Sequence, residues 1–582
     1  MRRTSRFWTL VTAAAAVVLA SSGCTVIPVT GPYMVDDSGS GDPLSKPFQR
    51  MIATLPQPGW GPQETIKGLQ AAMAAYADDP TILPQYLTPE ALKSWSPSGA
   101  VTVLDDAWHW SFDLGDQDGT ETAQKVTVKV PQIARIEEDD TYVPLAGNWV
   151  RSFELVKVKE GGYRVSGLPP GLILTKSDVD RAYRPTKLYY LGGGTQDRLV
   201  VDSVPLRLRP TETYAQIILE RLLKSPSAAL EGAVGTSFPL GTRVESVRSG
   251  EDERVVVNLS GPIDPFDLSG EHGLMAQIRY SLTNNDVAKG RVIEVQVDGE
   301  PYSVSQPNVD QGWLDNGVNA DFYVSKGAVR DLTSEGPGNP VAGPAGQPRE
   351  GYSDFAVSKQ GDFVAARTST GISVTAVSQD AQWREVIHGG PQDLTAPSWH
   401  RDGSLWTFDR KNGVVLRYDP ASGRPAERIA APGLKGWDVT RLRIARDGVR
   451  VALTTGEDGE NLVHIGALTQ AGGLMLSNVR VPTARGPGGE IEDLAWRDDE
   501  HVLVLVKSTA GQILNEIDIG DGDITEIPLK NRLQRVAALN EHVLAQAEAD
   551  KGRGSEILEL SQDQSWTTKI EPDAGTPLFP LG

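Results

Sequence analysis

Ala396-Pro397-Ser398-Trp399-His400-Arg401-Asp402-Gly403-Ser404-Leu405-Trp406-Thr407-Phe408 sets a short apolar strand, a polar Asp-Gly turn and a second apolar strand in succession. The unit recurs along the chain. Residues 355–358 and 363–366 flank Gly361, 442–445 and 450–453 flank Asp447-Gly448, and 492–496 and 502–506 flank Asp498-Asp499. A degenerate copy places Asn540-Glu541 between residues 536–539 and 543–545. Turn positions 361, 403, 448, 499 and 540 lie 42, 45, 51 and 41 residues apart, the length of a four-stranded propeller blade. Two further strand-like pieces follow each turn, as at 414–418 and 426–429. The spacing predicts an all-β propeller over residues 351–582, of five or six blades. Five are countable, and the hairpin of 322–324 with 328–332 is expected to add outer strands and help close the ring. A β-sandwich with coincidental spacing is the competing reading.

Upstream of the repeats, residues 328–350 hold Gly336-Pro337-Gly338-Asn339-Pro340 and Gly343-Pro344, which reads as a Gly/Pro linker. Residues 185–327 read as an α/β domain. Tyr214, Ile217, Ile218 and Leu222 share one face of a helix, as do Leu274, Ile278 and Leu282. Val255, Val257 and Leu259 alternate as a strand, and residues 292–297 end at the turn pair Asp298-Gly299. Residues 59–184 read as an α+β domain. Pro62 opens a helix carrying Ile66, Leu69, Met73 and Tyr76, and Thr88 caps a second helix with Pro89 at its first position. Strands are expected near 101–104, 108–113, 126–130, 149–158 and 163–167. Residues 24–58, rich in Gly, Pro, Ser and Asp, read as a flexible tether.

The N-terminus has the layout of a secretory signal over residues 1–23: Arg2, Arg3 and Arg6, then an apolar stretch at 7–20, then Ser21-Ser22-Gly23. Cys24, the only cysteine, follows directly. That arrangement resembles the lipobox of bacterial lipoproteins, although Ser21 stands where the motif usually has leucine. The resemblance implies an S-diacylglycerol and N-palmitoyl anchor on Cys24, holding the protein at the extracytoplasmic face of a cell membrane. Past the signal, no apolar run approaches the ~20 residues of a membrane helix. A net charge of −20, from 76 acidic and 56 basic residues, argues against nucleic acid as a partner.

Few motifs suggest chemistry. His109, His272, His388, His400, His464, His501 and His542 make no metal-ligand spacing, so neither metal nor cofactor is expected. Asp116-Gln117-Asp118-Gly119 lacks the rest of a calcium loop, and Gly192-Gly193-Gly194 lacks a phosphate-loop pattern. The best enzyme candidate is Asp105-Asp106-Ala107-Trp108-His109-Trp110, yet on a strand Asp106 and His109 point to opposite faces. Structural tryptophans are the favoured reading, and no catalytic residue is assigned.

Three resemblances add to this. The first domain is similar to the cone-shaped NTF2-like domains. The order Leu-Leu-Lys-Ser-Pro (222–226), Phe-Pro-Leu-Gly-Thr (238–242), Val-Asn-Leu-Ser (257–260) and Ile-Glu-Val-Gln-Val-Asp-Gly (293–299) resembles the GerMN domain of spore-germination and envelope lipoproteins. With Tyr86-Leu87-Thr88-Pro89-Glu90, Ser94-Trp95-Ser96-Pro97 and the propeller entry at 352–358, the whole mature chain resembles the actinobacterial LpqB lipoprotein family. That resemblance implies a non-enzymatic accessory role: binding the extracellular domain of an MtrB-like sensor histidine kinase and influencing an MtrAB-type two-component system in envelope and division homeostasis. Two alternatives stand beside it. One is a lipoprotein that binds envelope polymer or lipid without signalling; the other is a cryptic enzyme in the NTF2-like pocket or the propeller channel.

Overall fold

The computed structural model describes residues 33–37, 44–45, 48–106, 110–113, 123–193, 198–209, 211–264, 267–305, 312–314, 320–457, 460–470, 472–484, 486, 488–549, 554–570 and 575–581. Cys24 and residues 107–109 lie outside them.

The first domain sets helices on one side of a bent sheet. Helix α1 (Pro62–Ala74) starts with proline at its first turn and buries Ile66, Leu69 and Met73 against the sheet. Helix α2 (Pro89–Ser94) is capped by Thr88, whose hydroxyl accepts the Ala91 amide at 3.2 Å. The strands run in the order Tyr163–Val165, Tyr142–Lys157, Ala123–Ile136, Val101–Leu104, Leu172–Thr175; only the last pair is parallel. Helix α3 (Lys176–Ala182) then leads into the second domain, its N-terminus closed by a reciprocal capping box between Thr175 and Asp178.

In the second domain, helices α4 (Tyr214–Leu222) and α5 (Leu268–Thr283) pack on two sheets. One sheet pairs Tyr183–Gly192 with Leu199–Arg207 and Val234–Gly235. In the other, Val255–Ser260 lies parallel to Ile293–Val297, with α5 in the crossover. The Asp298-Gly299 turn has φ of 51° and 84°, so both central residues are left-handed, the geometry a tight hairpin needs.

Six four-stranded sheets follow, each a propeller blade. Blades 2 to 6 are chain-consecutive and begin with inner strands Ser353–Val357, Ser398–Trp399, Val439–Ile444, Glu490–Trp496 and Leu533–Leu539. Blade 1 takes its outer three strands, Asp321–Ser325, Ala328–Thr333 and Gly336–Pro340, from before the repeats. Its inner strand, Pro577–Leu578, comes from the far end. The ring is closed by joining the two ends of the propeller within one sheet, which leaves no blade face open.

Two sequence expectations are corrected. Residues 328–350, read as a linker, form two strands of blade 1 and a 3-10 turn at Gly343–Gly346. The Gly/Pro signal misleads because Gly336–Pro340 is an outermost strand, where prolines remove amides that need no partner. The propeller therefore begins with Asp321–Ser325, inside the range assigned to the second domain. Residues 24–58 are also not a tether throughout. Tyr33–Asp37 pairs with Phe48–Ile52, Leu44 is buried in the second domain's core, and Met51 in the first domain's. Isolated apolar residues in a polar stretch carry this packing, and composition averages them away.

Candidate functional site

The inner strands start at one mouth of the propeller channel and end at the Asp-Gly type turns on the other side. The mouth where they start encloses a cavity of about 880 Å³. Asp354, Arg367, Arg441 and Arg535 line it, with Lys326, Arg532, Glu490, Glu492 and Glu548 also on its wall. Asp354 pairs with Arg367 and, at 3.5 Å, with Arg535. Burial pushes its carboxyl up, but the guanidinium groups of Arg367, Arg535 and Arg443 outweigh this and hold it below the usual range. Asp493 accepts the Val536 amide at 2.9 Å and lies 3.6 Å from Arg441. Arg441 in turn donates to the carbonyls of Ile491, at 3.0 Å, and Glu492. Two residues further along the same strand sits Arg443.

Nothing in the sequence analysis singled these residues out. The charged side chains are spread over several repeats, and the repeats were read for what they share. The charged residues are what differs: Asp354 in blade 2, Arg441 at the matching register in blade 4 and Asp493 in blade 5.

The opposite side of the propeller holds the other domains. Arg450 donates to the Val201 carbonyl of the second domain, and Lys187 and Ser203 both bond Glu500 of blade 5. Val449 packs with Val200, Leu230 and Ala233 across the same boundary. The first and second domains are joined by Arg221, which donates to Asp140 at 2.7 Å and to the Asp139 carbonyl at 2.6 Å. Arg480 reaches from the propeller to the Tyr142 carbonyl of the first domain at 3.4 Å. Where all three meet, a cavity of about 510 Å³ is lined by Tyr142, Lys176, Asp180, Lys187, Glu500, His501, Asp518 and Asp521, among others.

This junction titrates. His501 bonds both oxygens of Asp498, at 2.8 and 2.9 Å; that bond raises its pKa to about 9, helped by the charges of Asp518 and Glu516 against burial. A cation favoured by folding gives stability that is complete below the imidazole's unfolded pKa of ~6.5 and is lost as pH rises through about 9. Asp521 is pushed up to about 6, by burial first and then by Asp518 and Asp523, with Lys176 opposing. Its folded state disfavours the anion, so stability falls there too as pH climbs from ~4 toward 6. The expected result is a melting temperature that declines from pH 5 to pH 9. His501→Gln should flatten the upper half of that profile and Asp521→Asn the lower half.

The residues weighed for chemistry are placed as follows. Asp106 accepts the Ser177 amide at 3.0 Å and its hydroxyl, at the start of α3, and is exposed. Trp110 lines a space of about 10 Å³ with Ile66, Leu69, Met73, Trp149 and Phe153, room for about one water. His400 bridges blades 3 and 4 through the Gly448 carbonyl at 2.8 Å, as a structural histidine does. His464 packs against Trp437, with ring centroids 4.4 Å apart and planes tilted by 43°, and burial lowers its pKa to about 4. His388 and His272 are exposed, and His542 lies between Asp321 and Glu559 at 3.3 and 3.0 Å. Trp108 and His109 lie outside the described residues, as do 116–119. Among the described residues no group of three His, Asp or Glu converges as a metal site.

Comparison with known proteins matches three family models in order. Residues 55–180 match "Lipoprotein LpqB, N-terminal domain", residues 187–303 match "Sporulation and spore germination", and residues 291–580 match "Lipoprotein LpqB beta-propeller domain". The chain is 28% identical to lipoprotein LpqB of Thermobifida fusca, covering 86% of this chain and 87% of that one. It is 25% identical to lipoprotein LpqB of Streptomyces avermitilis, over 96% and 97%. Among solved structures, TolB from Acinetobacter baumannii aligns with 45% of this chain and 65% of its own, at 15% identity and a TM-score of 0.35.

Proposed function

The chain belongs to the LpqB lipoprotein family, and on that premise we propose that it is an accessory lipoprotein that binds the extracellular domain of an MtrB-like sensor histidine kinase. Cys24 carries the lipid anchor, the folded part stands on the extracytoplasmic face of the cell membrane, and the protein acts by contact without catalysis. The observation that carries this reading is the locking of three domains into one body by Arg221, Arg450, Arg480, Lys187 and Glu500. A rigid body can hold one conformation of a partner more tightly than another, which is the condition for shifting a signalling equilibrium. Anchoring kinase and lipoprotein to one membrane raises their effective concentration, so a weak interface suffices.

Cys24→Ala is expected to move the protein from the membrane to the soluble fraction and to abolish most of its effect on kinase-dependent transcription. Full signalling by the released form would sink the role of the anchor. Photo-cross-linking on intact cells should capture the kinase extracellular domain. Capture of wall polymer alone would instead favour an envelope-binding lipoprotein.

A further inference from the structure

Arg443 breaks a rule that the other chain-consecutive blades keep. It pairs with Ala452 one step before the end of the inner hairpin. The same register position holds Ala356 in blade 2, Ser398 in blade 3, Ala495 in blade 5 and Ala538 in blade 6. Small residues there let neighbouring blades approach, and the next blade's tryptophan still donates to this residue's carbonyl: Trp399 to Ala356 at 3.1 Å and Trp496 to Arg443 at 3.0 Å. Only blade 4 adds a guanidinium at this level.

That guanidinium is short of partners. Its one hydrogen bond among the described residues is from Nη1 to the adjacent Leu442 carbonyl, at 3.2 Å, and no carboxylate of those residues lies within salt-bridge distance. The two carboxylates near it are used by others: Asp354 by Arg367 and Arg535, and Asp493 by the Val536 amide and Arg441. Arg367, Arg441, Arg443 and Arg535 thus share Asp354 and Asp493, while Glu490, Glu492 and Glu548 stand elsewhere on the cavity wall. Arg443 is half-buried, and burial disfavours its cationic form; Asp493 and Asp354 oppose this, while the charges of Arg441 and Arg535 add to it. A partly desolvated cation with no carboxylate in contact is costly, and a bound anion relieves that cost.

We propose that this mouth of the propeller channel is a binding site for a small oxyanion, carboxylate or phosphate, held by Arg441 and Arg535 on the cavity wall with Arg443 two residues further along the Arg441 strand. The arginine forks suit paired acceptor oxygens, and the cavity of about 880 Å³ leaves room for the molecule that carries them. The site lies at the strand-start end of the inner strands, away from the turns that hold the second domain, so it is open with all three domains in place. It is independent of the signalling reading: a ligand could bind here whatever the protein touches.

The test uses the full mature chain, titrated with citrate in one arm and inorganic phosphate in the other, at constant ionic strength set with chloride. Calorimetry should give saturable binding for at least one anion; the arm that saturates at the lower concentration identifies the headgroup. Arg443→Ala restores the residue of blades 2, 5 and 6, so it should fold, with an unliganded melting temperature no lower than the wild type. Its affinity for the same anion should fall about tenfold or more, the loss of one charge-assisted contact. Arg443→Lys should retain part of the binding. Two outcomes overturn the proposal: neither anion saturating the wild-type protein, or Arg443→Ala binding as tightly as the wild type.

Discussion

Phe579→Ala should cost about 3–5 kcal/mol and open the propeller at one seam. The phenyl ring has no solvent exposure and packs among Tyr323, Leu332, Ala537, Leu539, Leu544, Ile557 and Ile570, the apolar layer between blades 1 and 6. It follows Pro577–Leu578, the strand that completes blade 1, so its removal also loosens the pairing of Phe322 with Leu578. Backbone bonds alone hold that strand poorly: Val324 to Thr576 at 2.9 Å, Gly575 to Val324 at 2.7 Å and Leu581 to Val357 at 3.0 Å. A propeller derives its closure from this one junction, because the remaining blades are joined by chain connectivity. Hydrogen exchange should therefore show lost protection in Asp321–Ser325 and Leu533–Leu539, with Val255–Ser260 of the second domain unchanged. Leu240→Ala, at a fully exposed side chain, serves as the surface control and should stay within about 0.5 kcal/mol of the wild type. Equal protection across all blades in Phe579→Ala would mean that the closing strand does not hold the ring.

The repeats were legible because each blade must turn between its first two strands, and Asp-Gly turns are marked by residue type. The closure was legible only in part: the hairpin of 322–324 with 328–332 was expected to help close the ring, and it does supply outer strands of blade 1, but its inner partner was not found. The inner strand of blade 1 is only two residues, Pro577–Leu578, and its partners Tyr323 and Phe322 lie 254 and 256 residues earlier in the chain. No local pattern encodes that pairing, and the prolines of Gly336–Pro340 disguised the outermost strand of the same blade as a linker. The second domain was read well because its helices and strands carry clean periods: Ile217, Ile218 and Leu222 on α4, and Val255, Val257 and Leu259 on a strand, are all buried. Leu44 and Met51 show the opposite case, single apolar side chains that leave no period yet fill two cores. The channel charges were hidden for a related reason. A function carried by the departure of one repeat from its siblings, Arg443 against Ala356, Ala495 and Ala538, disappears when the repeats are read for their consensus.

Arg450→Met should be the most costly single change at the domain boundary, about 3–5 kcal/mol at pH 7, since it strips one partner from a buried ion pair. Arg450 Nη1 lies 2.7 Å from Asp447, whose side chain has no exposure, and its second nitrogen holds the Val201 carbonyl of the second domain. Asp447 is also the turn aspartate of blade 4, accepting the amides of Val449 and Arg450 at 2.7 and 2.9 Å. Methionine fills similar volume, so the loss is electrostatic and not a cavity. The neighbouring Asp499 sharpens the test. Burial raises its pKa to about 7, Asp447 adds to the rise, and the Arg450 charge opposes it. Without that cation Asp499 faces Asp447 with less compensation, and protonation of Asp499 becomes the relief. Because folding then favours proton uptake more strongly, the penalty of Arg450→Met should shrink as pH falls from 7 toward 5. Denaturant titrations of the variant and the wild type at those two pH values measure it directly. A penalty that stays constant across the range would mean that Arg450 stabilises the boundary through its bond to Val201 and not by neutralising Asp447 and Asp499.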